Sequence, residues 1–254
     1  MSTASAFADL LTPSLGFLGS FGGAIDFIFN QRPGEGGTEG IMVGGLDQIW
    51  ELLRSQLLIS LMALILATII AMPIGLYLGH RGVGEFLAVA VGNAGRAIPE
   101  LALIALMVAF IGTGTLNVTI AVTVLGIPPI LTNTFVGMRQ VDRGAVEAAR
   151  GVGMTEFEII RKVELPLAIP TIMGGVRTAS VNIIATSTIG SLAGVDTLGQ
   201  LILGEAEYGS EGVIAGAIVV AALALLFEAV LAGIQHLLTP RGLTLQRAAA
   251  ASTA

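Results

Sequence analysis

The chain has 254 residues, 54% of them hydrophobic and only 12% charged, with a net charge of −6. A soluble domain usually carries about a quarter charged residues, and a chain this apolar would expose more nonpolar surface in water than one core can hide. With no cysteine, two distant histidines (His80 and His236) and one lysine, Lys162, it has no thiolate or disulfide chemistry, no metal centre and no basic stripe for nucleic acid.

Residues 1–45 read as a Gly-rich N-terminal extension. They lack a basic n-region, and Asp9 precedes the apolar stretch, which argues against a signal peptide. Leu15 to Phe29 approaches span length but carries Gly19, Gly22, Gly23 and Asp26, and whether it crosses stays open. Residues 30–45, with Pro33, Glu35 and Glu39, read as a flexible connector. Leu46, Ile49, Trp50, Leu53 and Leu57 then repeat at helical spacing, with Asp47, Glu51 and Arg54 on the other face. That pattern suits an interfacial amphipathic helix or an extension of the first span.

Residues 46–240 hold about five spans of roughly 20 apolar residues each. The first is Leu57 to Leu78. The second, Ala97 to Ile111, is short and breaks from an apolar Phe86–Ala94 stretch near Arg96 and Pro99. The third, Thr115 to Met138, is interrupted by Pro128 and Pro129. The fourth and fifth are Leu167 to Ile189 and Val213 to Leu237. The expected fold is an all-α transmembrane helix bundle.

Arg81, Arg96, Arg139, Arg143, Arg150, Arg161, Lys162, Arg241 and Arg247 fall on one side of five alternating spans. The opposite connections carry Asp196, Glu205, Glu207 and Glu211. The positive-inside rule therefore places 139–166 and the tail 241–254 in the cytoplasm of a multi-pass cell-membrane protein.

Segment 139–166 carries strong local signals. Asp142 can cap a helix over Gly144–Val152, and Gly153 can end it in the left-handed conformation. Thr155 and Glu158 form a capping box for a second short helix, and Pro166 suits the first turn of the next span. Two short helices at an angle are expected. Ala148, Ala149 and Gly153 would leave a small-sided surface for another protein, although an ordinary surface hairpin would read the same way.

Glu147-Ala148-Ala149, three residues, Gly153, nine residues, then Val163-Glu164-Leu165-Pro166 resembles the EAA motif of ABC-importer permeases, with Val163 in place of Ile. The runs PIGLYLGHRG, AIPELALIAL, PPILTNTFVG, LPLAIPTIMGGVRTA and LTPRGL are similar to the glycine betaine/carnitine/choline group of osmoprotectant permeases. Glu100 stands where an uncharged polar residue is usual. The resemblance implies a type I importer permease fold and a dimer of permeases, identical or related. It implies a separate extracytoplasmic binding protein and a cytoplasmic ATPase contacted by Glu147, Ala148, Ala149 and Gly153, with Leu165 and Pro166 completing the motif.

The chain has no phosphate loop, so any ATP is bound by a partner, and no nucleophile–base pair marks an enzyme. A quaternary ammonium is usually caged by aromatics; of Trp50, Tyr77 and Tyr208 only Tyr77 falls in a span, so the tight site is expected on the binding protein and a weak polar passage here. Thr178, Asn182 and Thr186 share a face of span four and are candidate passage residues, with Asn133 and Thr132 from span three. Interhelical hydrogen bonding explains the same residues. Arg177 and Glu228 lie at comparable depths, roughly 16 and 12 Å from the cytoplasmic side at helical rise, and are expected to pair. Glu100 is shallower and suits the vestibule. The acidic 196–211 loop is either a dock for the binding protein or a solvated loop. Glycine pairs four apart, such as Gly75/Gly79, carry no dimer motif at this glycine content.

Other readings are a permease for methionine or another small solute, a self-sufficient secondary carrier, and a non-transporting scaffold. The carrier would favour internal repeats or more intramembrane charges, and the scaffold has no need of the 147–166 spacing.

Overall fold

Gly75 and Gly79 let two helices touch at the heart of the molecule. A Cβ on Gly75 would stand 2.7 Å from Thr134, and one on Gly79 would stand 2.5 Å from Met138. Small residues are the usual way membrane helices approach this closely, and here the pair serves packing within the chain. The structure is a computed structural model that describes residues 19–36 and 40–240. The tail 241–254, with Arg241 and Arg247, and residues 1–18 lie outside the described residues, as does Glu39.

The order is α1 (Gly19–Phe29), β1 (Gln31–Pro33), β2 (Met42–Gly44), α2 (Gly45–Arg81), α3 (Glu85–Ala97), α4 (Glu100–Ile111), α5 (Thr115–Arg139), α6 (Arg143–Gly151), α7 (Glu156–Ile159), α8 (Leu165–Ser187), α9 (Gly199–Leu203) and α10 (Glu205–Leu238). Among the described residues, four helices are long and apolar enough to cross a membrane, or five when α3 and α4, bent by 89°, count as one span. The bend falls at Pro99, which cannot donate to the helix before it. α5 is central, with α2 and α8 against it and α10 on α8. The seam is built from Ala63, Ala67 and Ala71 of α2, Ala121 and Val122 of α5, and Ala179 and Ile183 of α8.

One open alternative is decided and two expectations change. The stretch 46–57 is not a separate amphipathic helix: α2 runs unbroken for 37 residues, about 56 Å at helical rise. No Gly or Pro occurs between Gly45 and Pro73 to stop it. α5 is likewise continuous through Pro128 and Pro129, because prolines inside spans are tolerated where neighbouring helices pack closely; Gly95 of α3 faces the Pro128 ring.

The described part of 30–45 is also not a loose connector. β1 and β2 pair antiparallel, and the hairpin is tied down at the α10 start. Glu35 N–H donates to the Glu207 carbonyl at 2.9 Å. The Arg32 guanidinium pairs with Glu211, donates to the Tyr208 carbonyl at 2.8 Å, and sits 4.7 Å over the Phe27 ring. The glycines supply the positive φ of the turns at Gly36, Gly40 and Gly44. The described part of α1 packs Ala24 and Phe27 against α9 and the start of α10; the Leu15–Phe29 stretch begins outside the described residues.

Candidate functional site

The segment between α5 and α8 forms an elbow beyond the apolar stretches. Asp142 accepts from the Ala145 N–H at 2.9 Å and starts α6. Gly153 ends it at φ 89°, with Met154 N–H returning to the Ala149 carbonyl at 3.2 Å. Thr155 and Glu158 close a capping box at the start of α7. Lys162, first, and then the Thr155 backbone and hydroxyl donors hold the Glu158 carboxyl down to about 2. Arg150 reaches across the turn to Glu156 with contacts of 3.1 and 3.0 Å, and this pairing lowers the Glu156 carboxyl below its usual range.

α7 is not an isolated helix. A wide turn over Ile160–Glu164, closed by Leu165 N–H to the Ile160 carbonyl, carries it into α8. An ordinary α-turn there would press the Pro166 ring on the carbonyl four residues back; the wider turn relieves it. α7 and span four are thus one rod, with α6 joined to it through the Gly153 turn.

Glu147, Ala148 and Gly153 are exposed, and Leu165 and Pro166 are half-buried. Ala149 turns inward, packed with Met138, Val146 and Ile159, so the small surface is Ala148 and the glycines without it. The projecting apolar groups are Val152 and Phe157, 78% and 70% exposed. They were missed from sequence; the signal was an apolar residue on each side of a glycine stop, outside every span.

His80, at the end of α2, anchors the elbow. Nδ1 stands 2.6 Å from Glu164 Oε2, and Nε2 stands 3.1 Å from Glu156 Oε2. Glu164 is buried. Neither the histidine nor this carboxylate stood out in the sequence, where histidines were weighed only as metal ligands.

A second site lies between α8 and α10. Arg177 Nε donates to Glu228 Oε1 at 2.9 Å, Nη2 contacts the same oxygen, and Nη1 donates to Gln235 Oε1 at 2.7 Å. Gln235 in turn donates to the Pro170 carbonyl at 3.3 Å. The pair borders a cleft of about 430 Å³ lined by Gly174, Arg177, Thr178, Val181, Asn182 and Glu228. Thr178 and Asn182 are exposed there. Thr186 is apart from them, buried at 1% exposure with no hydrogen-bond partner for Oγ1. Asn133 packs on Gly175 and donates to the Pro129 carbonyl at 2.8 Å. The cleft therefore gathers Thr178 and Asn182 with the ion pair, and leaves Thr186 and Asn133 in the packing.

Residues 71–242 match the family described as binding-protein-dependent transport system inner membrane component. The carnitine transport permease protein OpuCB of Listeria monocytogenes is 37% identical over 199 residues, 78% of this chain and 89% of that protein. The glycine betaine/carnitine/choline transport system permease protein OpuCB of Bacillus subtilis (strain 168) is 37% identical over 189 residues, 74% of this chain and 87% of that protein. In three dimensions the chain is similar to one in the inward-facing MetNI methionine ABC transporter, with TM-score 0.68 and 22% identity, covering 77% of this chain and 98% of that one; this is a likeness of fold. The continuous membrane-length helices, the elbow and the matched two thirds of the sequence agree, and the chain belongs to the family of binding-protein-dependent transport system inner membrane components.

Proposed function

We propose that this chain is the permease subunit of an ATP-driven importer for small quaternary-ammonium osmoprotectants such as glycine betaine, carnitine or choline. The observation that carries the reading is the likeness, along most of the chain, to two permeases named for those solutes. The elbow end faces the cytoplasm, in keeping with its arginines, and the α1–hairpin–α9 end faces outward. Two permeases enclose one passage, and a binding protein delivers solute at the outer end. A separate ATPase receives the elbow at Glu147, Ala148, Gly153, Val152 and Phe157.

The geometry suggests how hydrolysis would move the bundle. The α7 half of the elbow is continuous with α8, so a displacement at the Gly153 turn travels along the helix that lines the α8–α10 cleft. His80 carries the same displacement to α2. Because packed interfaces switch between discrete arrangements, a small shift at the elbow can open or close the passage.

The test is reconstitution of the chain with its co-encoded ATPase and binding protein in proteoliposomes. ATP-dependent accumulation of radiolabelled glycine betaine, carnitine or choline is expected. ATP-driven uptake of an amino acid with none of these three would overturn the substrate assignment, and no ATP-dependent uptake would overturn the transport reading.

A further inference from the structure

The Arg177–Glu228 pair sits on membrane-length helices, yet its side chains are 31% and 34% exposed. Thr178 and Asn182 are exposed beside it. Charged and amide groups at such depth avoid lipid and face a wet cavity or another protein surface. The pair also retains bonding capacity. A guanidinium has five N–H donors, and Arg177 commits three, to Glu228 and Gln235. Both contacts to Glu228 fall on Oε1, and among the described residues Oε2 has no partner. The Asn182 amide likewise has none, whereas the Thr178 proton is committed to the Gly174 carbonyl at 3.0 Å.

We propose that this cleft is a transit site for zwitterions, in which Arg177 and Asn182 take the solute's carboxylate and Glu228 takes its quaternary ammonium. The inference rests on the transport reading and deepens it by naming the residues that read the solute's charge. The chemistry selects both ends. A carboxylate needs donors, and the spare guanidinium N–H groups with the Asn182 amide supply them. A quaternary ammonium has no N–H and is recognised by negative charge or an aromatic face; no lining residue is aromatic, so the free carboxylate oxygen does this work.

Opposite charges in direct contact match a short zwitterion lying antiparallel to them, its two charges a few bonds apart. The cleft falls within the ~300–1,000 Å³ of small-molecule sites. Without an aromatic cage the hold is weak, as a passage requires. Choline, with a hydroxyl in place of a carboxylate, meets only the Glu228 end.

The test uses the purified permease–ATPase complex without binding protein and reads saturation-transfer NMR at the trimethylammonium protons of glycine betaine and choline. A saturable glycine betaine signal is expected. It should weaken at least tenfold in Arg177→Gln and persist in Arg177→Lys. Glu228→Gln should weaken both solutes, and Arg177→Gln should not weaken choline binding, because loss of the guanidinium leaves the Glu228 carboxylate freer for the ammonium. Because Arg177→Gln can disturb α8 against α10, Asn182→Asp serves as a second variant: it sits outside the pair, adds negative charge at the carboxylate end, and should weaken glycine betaine selectively.

No saturable glycine betaine signal, or one unchanged in both Arg177→Gln and Asn182→Asp, overturns the proposal. So does an equal loss of the two solutes in Arg177→Gln. Uptake by the complete importer without binding at the cleft would sink this inference alone. Binding without ATP-driven uptake would sink the transport reading instead.

Discussion

His80 Nδ1 lies 2.6 Å from Glu164 Oε2, and the two side chains are only 7% and 2% exposed. The contact joins the end of α2 to the last residue of the wide turn before α8. His80 Nε2 reaches Glu156 on the other side, so one ring fastens the elbow to the bundle at two points.

His80→Ala would leave Glu164 buried without its partner. Stranding one member of a buried pair costs about 3–5 kcal/mol, whereas replacing both by apolar groups of similar volume is often neutral. His80→Ala should therefore lower the melting temperature of the detergent-purified permease, and His80→Leu with Glu164→Leu should recover most of the loss. Equal destabilisation by the single and double changes would mean the pair adds nothing beyond packing.

The elbow yields a sharper substitution than its small residues do. Ala149 is buried against Val146 and Ile159, so Ala149→Trp overpacks α6 and disturbs the elbow itself. Val152 and Phe157 project outward. Val152→Asp and Phe157→Asp should leave the melting temperature within a degree or two while abolishing co-purification of the ATPase. Retained capture in both would move the docking surface away from the Gly153 turn.

What could be read beforehand divides by the range of the interactions. The stops of the elbow are legible because each is local: Asp142 bonds three residues on, Thr155 and Glu158 bond each other, and Gly153 needs only its own φ. The spans are legible as apolar runs. The continuity of α2 through 46–57 is not, since an interfacial helix and an extended span share one periodicity; the absence of a breaker after Gly45 is what decides it. Arg177 and Glu228 meet because two consecutive antiparallel spans fix their relative depth. The His80–Glu164 contact spans 84 residues and leaves no periodic trace. The inward turn of Ala149, and of Thr186 away from Thr178 and Asn182, depends on which neighbours α6 and α8 meet, and that is known only once the bundle is assembled.

The α2–α5 seam depends on missing side chains. A Cβ at Gly75 would stand 2.7 Å from Thr134 Cβ and 3.1 Å from the Leu131 carbonyl, and neither can yield without moving α5. Overpacking of this kind costs about 1–3 kcal/mol. Gly75→Ala should lower the melting temperature despite its better helix propensity. Gly233→Ala on α10, where nothing stands within 4 Å, should raise it slightly, by the ~1 kcal/mol that alanine gains over glycine in a helix. The reverse ranking would place the close approach elsewhere than in the Gly75 seam.

Gln56 gives the opposite case, a polar side chain that the core requires. It is fully buried on α2. Its Nε2 donates to the Ile184 carbonyl at 3.2 Å, and its Oε1 accepts from the Leu198 N–H at 3.0 Å. One amide thus ties α2 to the end of α8 and to the turn that leads into α9. Gln56→Leu keeps the volume but strands the buried Leu198 N–H, at about 1–3 kcal/mol, while the Ile184 carbonyl keeps the Ser187 hydroxyl at 2.9 Å. Gln56→Glu retains the acceptor for Leu198 but loses the donor to Ile184 and buries a charge, so it should be the worse of the two. Hydrogen exchange at the Leu198 amide reads this directly: it should accelerate in Gln56→Leu and stay nearer wild type in Gln56→Asn only if the shorter amide still reaches. Unchanged protection in Gln56→Leu would show that the α8–α9 connection is held by its own turn bonds, Gln200 N–H to the Thr197 carbonyl among them, and not from α2.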